Sequence, residues 1–276
     1  AVRNLAKERV LSCVNGAFSK RWYDVAIANG KQADKVEVPM GQAILPGMVE
    51  EALQKQQYEL LTIVHNETST GVQNPVKEIT EVVRRVSPDT FVAVDAVSSL
   101  AGTKIEMDAW GLDLLFTSSQ KCMALPPGLA LCAVNDRAMQ YAAGVPNRGW
   151  YFDFLLLETH RNKDSTPMTP AMSLVFALDY QLDRILAEGL ENRFARHAAM
   201  ANRSRAWAAQ KGWPLLAPEG YRSQTITVVQ NPPTFDIAEF NKFLAPRSLR
   251  LANGYGDLKG KTFRIAHMAE IQPSDL

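Results

Sequence analysis

Short apolar runs rich in β-branched residues alternate along this chain with stretches whose apolar positions recur at helical spacing. That alternation predicts βαβ units and a mostly parallel sheet. Strands are expected at Arg9–Val14, Lys35–Val38, Glu59–His65, Thr90–Asp95, Leu112–Thr117 and Gly128–Val134. Helices are expected between them at Ser19–Asn29, Leu45–Gln56, Pro75–Arg85 and Asp136–Ala143. Leu60-Leu61-Thr62-Ile63-Val64 and Phe91-Val92-Ala93-Val94 are continuously apolar apart from one threonine, as strands covered on both faces are. Thr166-Pro167-Met168-Thr169-Pro170 is expected to open a long helix reaching Glu188, with Gly189 as its stop and a second helix over Glu191–Gln210. After Trp213-Pro214 the texture changes to a strand at Ser223–Val229, a helix at Ile237–Phe243, and short strands at Leu249–Leu251 and Thr262–Ala266. The expected architecture is an α/β domain over residues 1–189 joined to a smaller α+β domain over 190–276.

Charge and composition narrow the class of protein. The 30 Lys and Arg against 29 Asp and Glu leave +1, which gives no electrostatic footprint for nucleic acid or an anionic membrane. A hydrophobic fraction of 46% with 21% charged residues is ordinary for a globular protein. No apolar run spans a bilayer, and the first residues have no signal-peptide layout, so a cytoplasmic protein is expected. Cys13, Cys122 and Cys132 form no C-x-x-C pair and are expected as reduced thiols. The four histidines do not pair at metal-binding spacing, so no metal is expected.

In open parallel sheets the ligand sits beyond the carboxyl ends of the strands. Three strand ends here are strongly polar: His65-Asn66-Glu67-Thr68-Ser69-Thr70-Gly71, Asp95-Ala96-Val97-Ser98-Ser99, and Thr117-Ser118-Ser119-Gln120-Lys121. Together they would bring a carboxylate, a lysine and a hydroxyl cluster to one crevice. Lys121 lies between apolar segments, where lost hydration disfavours its charged form and makes the amine a usable nucleophile. Taken alone, a loop lysine is commonly just solvated, and Asp95 would serve equally as a cap. The joint occurrence of the three ends is what points to chemistry.

With Asn15-Gly16-Ala17-Phe18, Pro126-Pro127-Gly128, Thr166–Pro170 and Lys261-Thr262-Phe263-Arg264-Ile265-Ala266-His267-Met268, these motifs run in the order found in a known family. The chain resembles the class V branch of fold-type-I pyridoxal-phosphate enzymes, within it the serine/alanine–glyoxylate aminotransferases. The resemblance implies the type I fold, pyridoxal 5'-phosphate as cofactor, and transamination between a small amino acid and a 2-oxo acid such as glyoxylate. It implies Lys121 as the Schiff-base lysine and proton shuttle, and Asp95 as the partner of the pyridine nitrogen. Phe18 would stack on the ring, Val97 would pack against its other face, and Thr68 would contact its phenolic oxygen. Gln120, and Thr169 from a neighbouring subunit, would contact the phosphate, which implies a homodimer. Arg264 would clamp the substrate carboxylate with its planar fork.

Two other readings remain on the same motifs. One is a lyase or cysteine desulfurase of the same fold; those relatives place a histidine before the lysine, where this chain has Gln120. The other is a non-catalytic paralogue or partner subunit resembling the soluble hydrogenase subunits, against which the retention of Lys121, Asp95 and Arg264 argues. Family members carry a phosphate-cradling helix N-terminus just upstream of the segment matching Ala1–Leu5, and their small domain continues beyond Leu276. The sequence is therefore expected to be part of a longer chain.

Overall fold

The structure is a computed structural model describing residues 1–276. The first half runs α1 (Val2–Leu5), β1 (Arg9–Val14), α2 (Ala17–Ala28), β2 (Gln32–Glu37), α3 (Pro46–Lys55), β3 (Leu60–Val64), β4 (Asn66–Glu67), β5 (Val72–Gln73), α4 (Val76–Val86), β6 (Phe91–Asp95) and β7 (Leu114–Ser118). It continues with β8 (Ala130–Val134), α5 (Asp136–Ala143), α6 (Phe154–Arg161), α7 (Met172–Glu188), α8 (Leu190–Gln210), β9 (Ile226–Gln230), α9 (Ile237–Leu244), β10 (Ala252–Asn253) and β11 (Thr262–Ala266). A six-stranded sheet has the order β2-β1-β3-β6-β7-β8, parallel except for β8, and a three-stranded antiparallel sheet has the order β10-β11-β9.

Alternation along the central strands builds two apolar layers. Leu11, Cys13, Leu61, Ile63, Val92, Val94 and Leu115 point to the side covered by α3 and α4, where Val49, Leu53, Ile79 and Val83 complete a core cluster. Val10, Leu60, Phe91, Ala93 and Leu114 point to the other side and pack with residues of α1, α2, α5 and α6. The small sheet packs on α8 through Ala208, Val229, Phe263 and Ile265, edged by Trp207, Trp213 and Phe235. No helix is long and apolar enough to cross a membrane.

Several expectations need correction. Thr166–Pro170 does not open a helix: α7 begins only at Met172, with Ala171 as its cap. Pro170 removes the N–H that a continuing helix would donate there. The strand expected at Leu249–Leu251 falls instead at Ala252–Asn253, opposite Arg264 and Phe263. The β4–β5 hairpin and α6 were not anticipated; two-residue strands carry no periodicity, and α6 is only eight residues long. Gly189 does stop α7, at φ +82°, the left-handed region that glycine enters without a Cβ penalty.

One side chain ties these parts together. Arg193 of α8 is buried, and its guanidinium donates to the carbonyls of Ala101 (3.0 Å), Cys122 (2.9 Å) and Ala269 (3.2 Å) and to the carboxylates of Glu188 (2.6 Å) and Glu270 (3.0 Å). Five N–H groups meet five acceptors, the full capacity of the fork. Arg196 adds a second grip on Glu188 (2.6 Å) and on the carbonyls of Ile271 (2.5 Å) and Ala269 (3.2 Å).

Candidate active site

Strands β1, β3, β6 and β7 are consecutive and parallel, so their carboxyl ends open along one edge of the sheet. Beyond β1 the chain turns through Asn15-Gly16 into α2, which carries Phe18 and Trp22. The β3 end leads to His65 and to the β4–β5 hairpin, which carries Glu67 and, between its strands, Thr68 and Ser69. Asp95 is the last residue of β6, followed by Val97 and Ser98, and Lys121 lies in the turn that follows β7.

Burial sets the electrostatics of this edge. Desolvation pushes the Asp95 carboxyl up to about 6, with the nearby Glu67 adding to the rise. The Val97 backbone N–H, donating to Oδ1 at 2.9 Å, and the Trp22 indole N–H, donating to Oδ2 at 3.2 Å, pull against it, as does the charge of Lys121. A carboxylate offers about four lone-pair sites, so two hydrogen bonds leave it with capacity. Lys121 is half-buried and its amine titrates below the ordinary lysine range, first through desolvation and then through the charge of Arg264. Asp95 and Cys122 act in the opposite direction.

Arg264, in the middle strand of the small sheet, faces the same edge. Its Nε donates to the Asn253 carbonyl at 3.0 Å, and its Cζ lies 5.7 Å from the ring centroid of Tyr255. Tyr255 in turn stacks on Phe18 with centroids 5.0 Å apart and planes 21° from parallel. Thus Val97 holds Asp95, Lys121 feels the charges of both Asp95 and Arg264, and Phe18 is linked to Arg264 through Tyr255. Thr68 is buried and its hydroxyl hydrogen-bonds that of Ser98. Gln120 is exposed beside Lys121. Thr169 is not brought to this site: it is exposed on a surface recess formed by Arg161 and residues 164–170 with Met172.

Glu67, Trp22 and Tyr255 carry weight that their sequence positions did not reveal. The buried Glu67 carboxylate accepts from the backbone N–H groups of Ser19 (2.7 Å) and Phe18 (3.3 Å) and from the hydroxyls of Ser19 (2.8 Å) and Ser69 (2.6 Å). It thereby satisfies the open N-terminus of α2, where a negative charge is favoured, and fixes the helix that holds Phe18. Gly16 makes this approach possible: a Cβ there would meet Glu67 Cγ at 2.4 Å and Ser69 Oγ at 2.6 Å. The four-residue spacing of Phe18 and Trp22 is the signal that would have placed both on one helix face. Tyr255, an aromatic residue between Gly254 and Gly256, gave no comparable signal. His65 donates to or accepts from Ser99 Oγ at 2.9 Å and packs edge-on to Trp110; burial holds it neutral, with a pKa of about 4.

Residues 5–206 match the family described as Aminotransferase class-V. An uncharacterized aminotransferase of Methanocaldococcus jannaschii is 38% identical over 274 residues, covering 97% of this chain and 71% of that protein. The L-aspartate–glyoxylate aminotransferase of Paracoccus denitrificans is 33% identical over 270 residues, covering 96% of this chain and 68% of its own length. Among solved structures, the alanine–glyoxylate aminotransferase of Nostoc sp. superposes with a TM-score of 0.92 at 29% identity, covering 99% of this chain and 74% of that one.

Proposed function

This chain belongs to the class-V aminotransferases, the pyridoxal-phosphate-dependent enzymes of type I fold, and we propose that it exchanges an amino group between a small amino acid of the serine or alanine type and glyoxylate. The observation that carries this reading is the placement of a desolvated amine, Lys121, in the field of Arg264 on one side and Asp95 on the other. The donor set fits the cofactor: a carboxylate with spare acceptor capacity for a ring nitrogen, an amine for an aldehyde, and an aromatic residue for a ring face. When bound, the cofactor supplies an electron sink for the pair left on an amino acid's α-carbon.

In this reading Asp95 would keep the ring nitrogen protonated, Phe18 and Val97 would hold the ring, and Thr68 would meet its phenolic oxygen. Gln120 and the partner copy's counterpart of Thr169 take the phosphate. Lys121 Nζ is the amine that would hold the cofactor's aldehyde, and when not so engaged it would carry a proton to and from the substrate's α-carbon. The downward shift of its pKa suits the task, because burial disfavours the charged form and makes the free amine easier to reach as a base. The two Nη groups of Arg264 are free of the Nε–Asn253 bond and suit a carboxylate common to amino and 2-oxo acids. That sharing is what a reaction with two alternating substrates requires.

A second copy of the chain completes the proposal. On the outward side of α7, Phe176, Tyr180 and Leu186 are each 67% exposed, an apolar surface that a homodimer would cover, close in sequence to the Thr169 segment. The test is amino transfer from serine, alanine and aspartate to glyoxylate, measured as glycine formed, with sedimentation to count copies. Glycine from serine or alanine supports the proposal. Transfer from aspartate alone, or to pyruvate but not glyoxylate, overturns the substrate assignment.

A further inference from the structure

We propose that Trp22 is a positioning residue for Asp95: its indole N–H, 3.2 Å from Oδ2, fixes the rotation of the carboxylate that the cofactor's ring nitrogen must meet. The proposal rests on the reading above for the role of Asp95 and goes beyond it in naming what orients that group. A carboxylate held only at Oδ1, by the Val97 N–H at 2.9 Å, would remain loose about its terminal torsion, which has no sharp staggered wells. A second donor on the other oxygen removes that freedom. Indole nitrogen is a donor only, so Trp22 can meet Asp95 in one sense alone.

The position of the indole is itself determined by the fold. Trp22 packs against the Phe116 ring, with centroids 5.4 Å apart. Phe116 is the β7 residue in register with Asp95 of β6, so the indole lies over the strand pair at the level of the carboxylate. Its helix is anchored at the N-terminus, one turn before Trp22, by Glu67. Three neighbours besides Trp22 act on Asp95: Glu67 from the hairpin, whose charge favours protonation, and Lys121 and the Val97 N–H, which favour the ionised form. Trp22 belongs with the latter two and offsets part of the cost of burial.

Two measurements test the proposal. In the unloaded protein, the Trp22 indole N–H resonance should shift with pH around a midpoint of about 6, following Asp95, and the shift should vanish in Asp95→Asn. This readout requires no cofactor, so it succeeds or fails independently of the functional reading. In the loaded enzyme, Trp22→Phe keeps a ring against Phe116 and removes only the donor. It should displace the acid limb of the kcat profile to higher pH and lower kcat near pH 6 by about tenfold with KM unchanged, the loss of one hydrogen bond to a charged group. An indole resonance that ignores pH, or one that titrates identically in Asp95→Asn, overturns the proposal. So does a Trp22→Phe acid limb that coincides with the wild type. Should Trp22→Phe fail to fold, the resonance test in the wild type and Asp95→Asn decides alone.

Discussion

Two arginines in this molecule, both removed from bulk water to different degrees, have opposite fates. Arg193 spends all five N–H groups on three carbonyls and two carboxylates, and its neighbour Arg196 holds the Glu188 carboxyl down at about 2. Arg264 spends one N–H on the Asn253 carbonyl and otherwise faces an aromatic ring and an amine. A guanidinium whose capacity is exhausted within the chain has nothing left to offer a ligand and works as a strut. One that keeps most of its capacity, as Arg264 does, still has donors to offer an anion, the role proposed for it. The same contrast separates Glu67, with its carboxylate filled by helix and hydroxyl donors, from Asp95, which is desolvated and only partly paired.

If this contrast is right, damage at the two regions should register in different measurements. Lys121→Ala should lower kcat by at least about 10^3-fold, the range for removing a nucleophile that also moves a proton, while leaving thermal stability nearly unchanged. A fall in the melting midpoint comparable to a core deletion would show that Lys121 is structural. Arg193→Met should do the reverse, costing about 3 kcal/mol in urea unfolding because two carboxylates and three carbonyls lose their donor. Stability within 0.5 kcal/mol of wild type, by the usual tolerance of surface changes, would erase the distinction.

Smaller effects sharpen it further. Arg264→Ala should raise KM for the amino acid about 100-fold with little change in unfolding free energy, and Arg264→Lys should restore only part, since an ammonium lacks the planar fork. Acidification acts on the buried histidines and on Asp95 with opposite sign. Burial holds His65, His197 and His267 at about 4, so the unfolded chain binds more protons than the folded one between pH 4 and 6.5, and their stabilising contribution is lost as pH falls through that window. Asp95, raised to about 6, makes the folded state the stronger proton binder between its ordinary value of 3.8 and 6, and opposes the loss. Three histidines against one carboxyl predict a net loss of about 1 to 2 kcal/mol from pH 7.5 to 6, measurable as a falling urea midpoint. A midpoint that rises would mean the histidines are not buried neutral.

How much of this was legible in the sequence follows from which forces are local. The central strands were visible because burial on both faces leaves continuous apolar runs, as in Leu60–Val64 and Phe91–Val94. Asp95 and Lys121 were visible as polar residues ending such runs. Trp22 and Tyr255 were not, because their importance lies in contacts across 73 and 237 residues, with Asp95 and Phe18. Arg193 was hidden for the same reason: nothing local marks an arginine on α8 as a fully paired one. The Thr166–Pro170 segment misled only about where the helix begins: α7 does follow two residues after Pro170, at Met172, but the segment itself stays outside it.

The central claim is that the underpaired edge around Lys121 and Asp95, and no other part of the chain, takes the cofactor. Borohydride reduction in the presence of pyridoxal 5'-phosphate, followed by peptide mass spectrometry, measures this directly. The account predicts a single modified lysine, Lys121, with the modification abolished in Asp95→Asn at limiting cofactor. Modification at another lysine with Lys121 untouched, or equal labelling across exposed lysines such as Lys20 and Lys55, would contradict it.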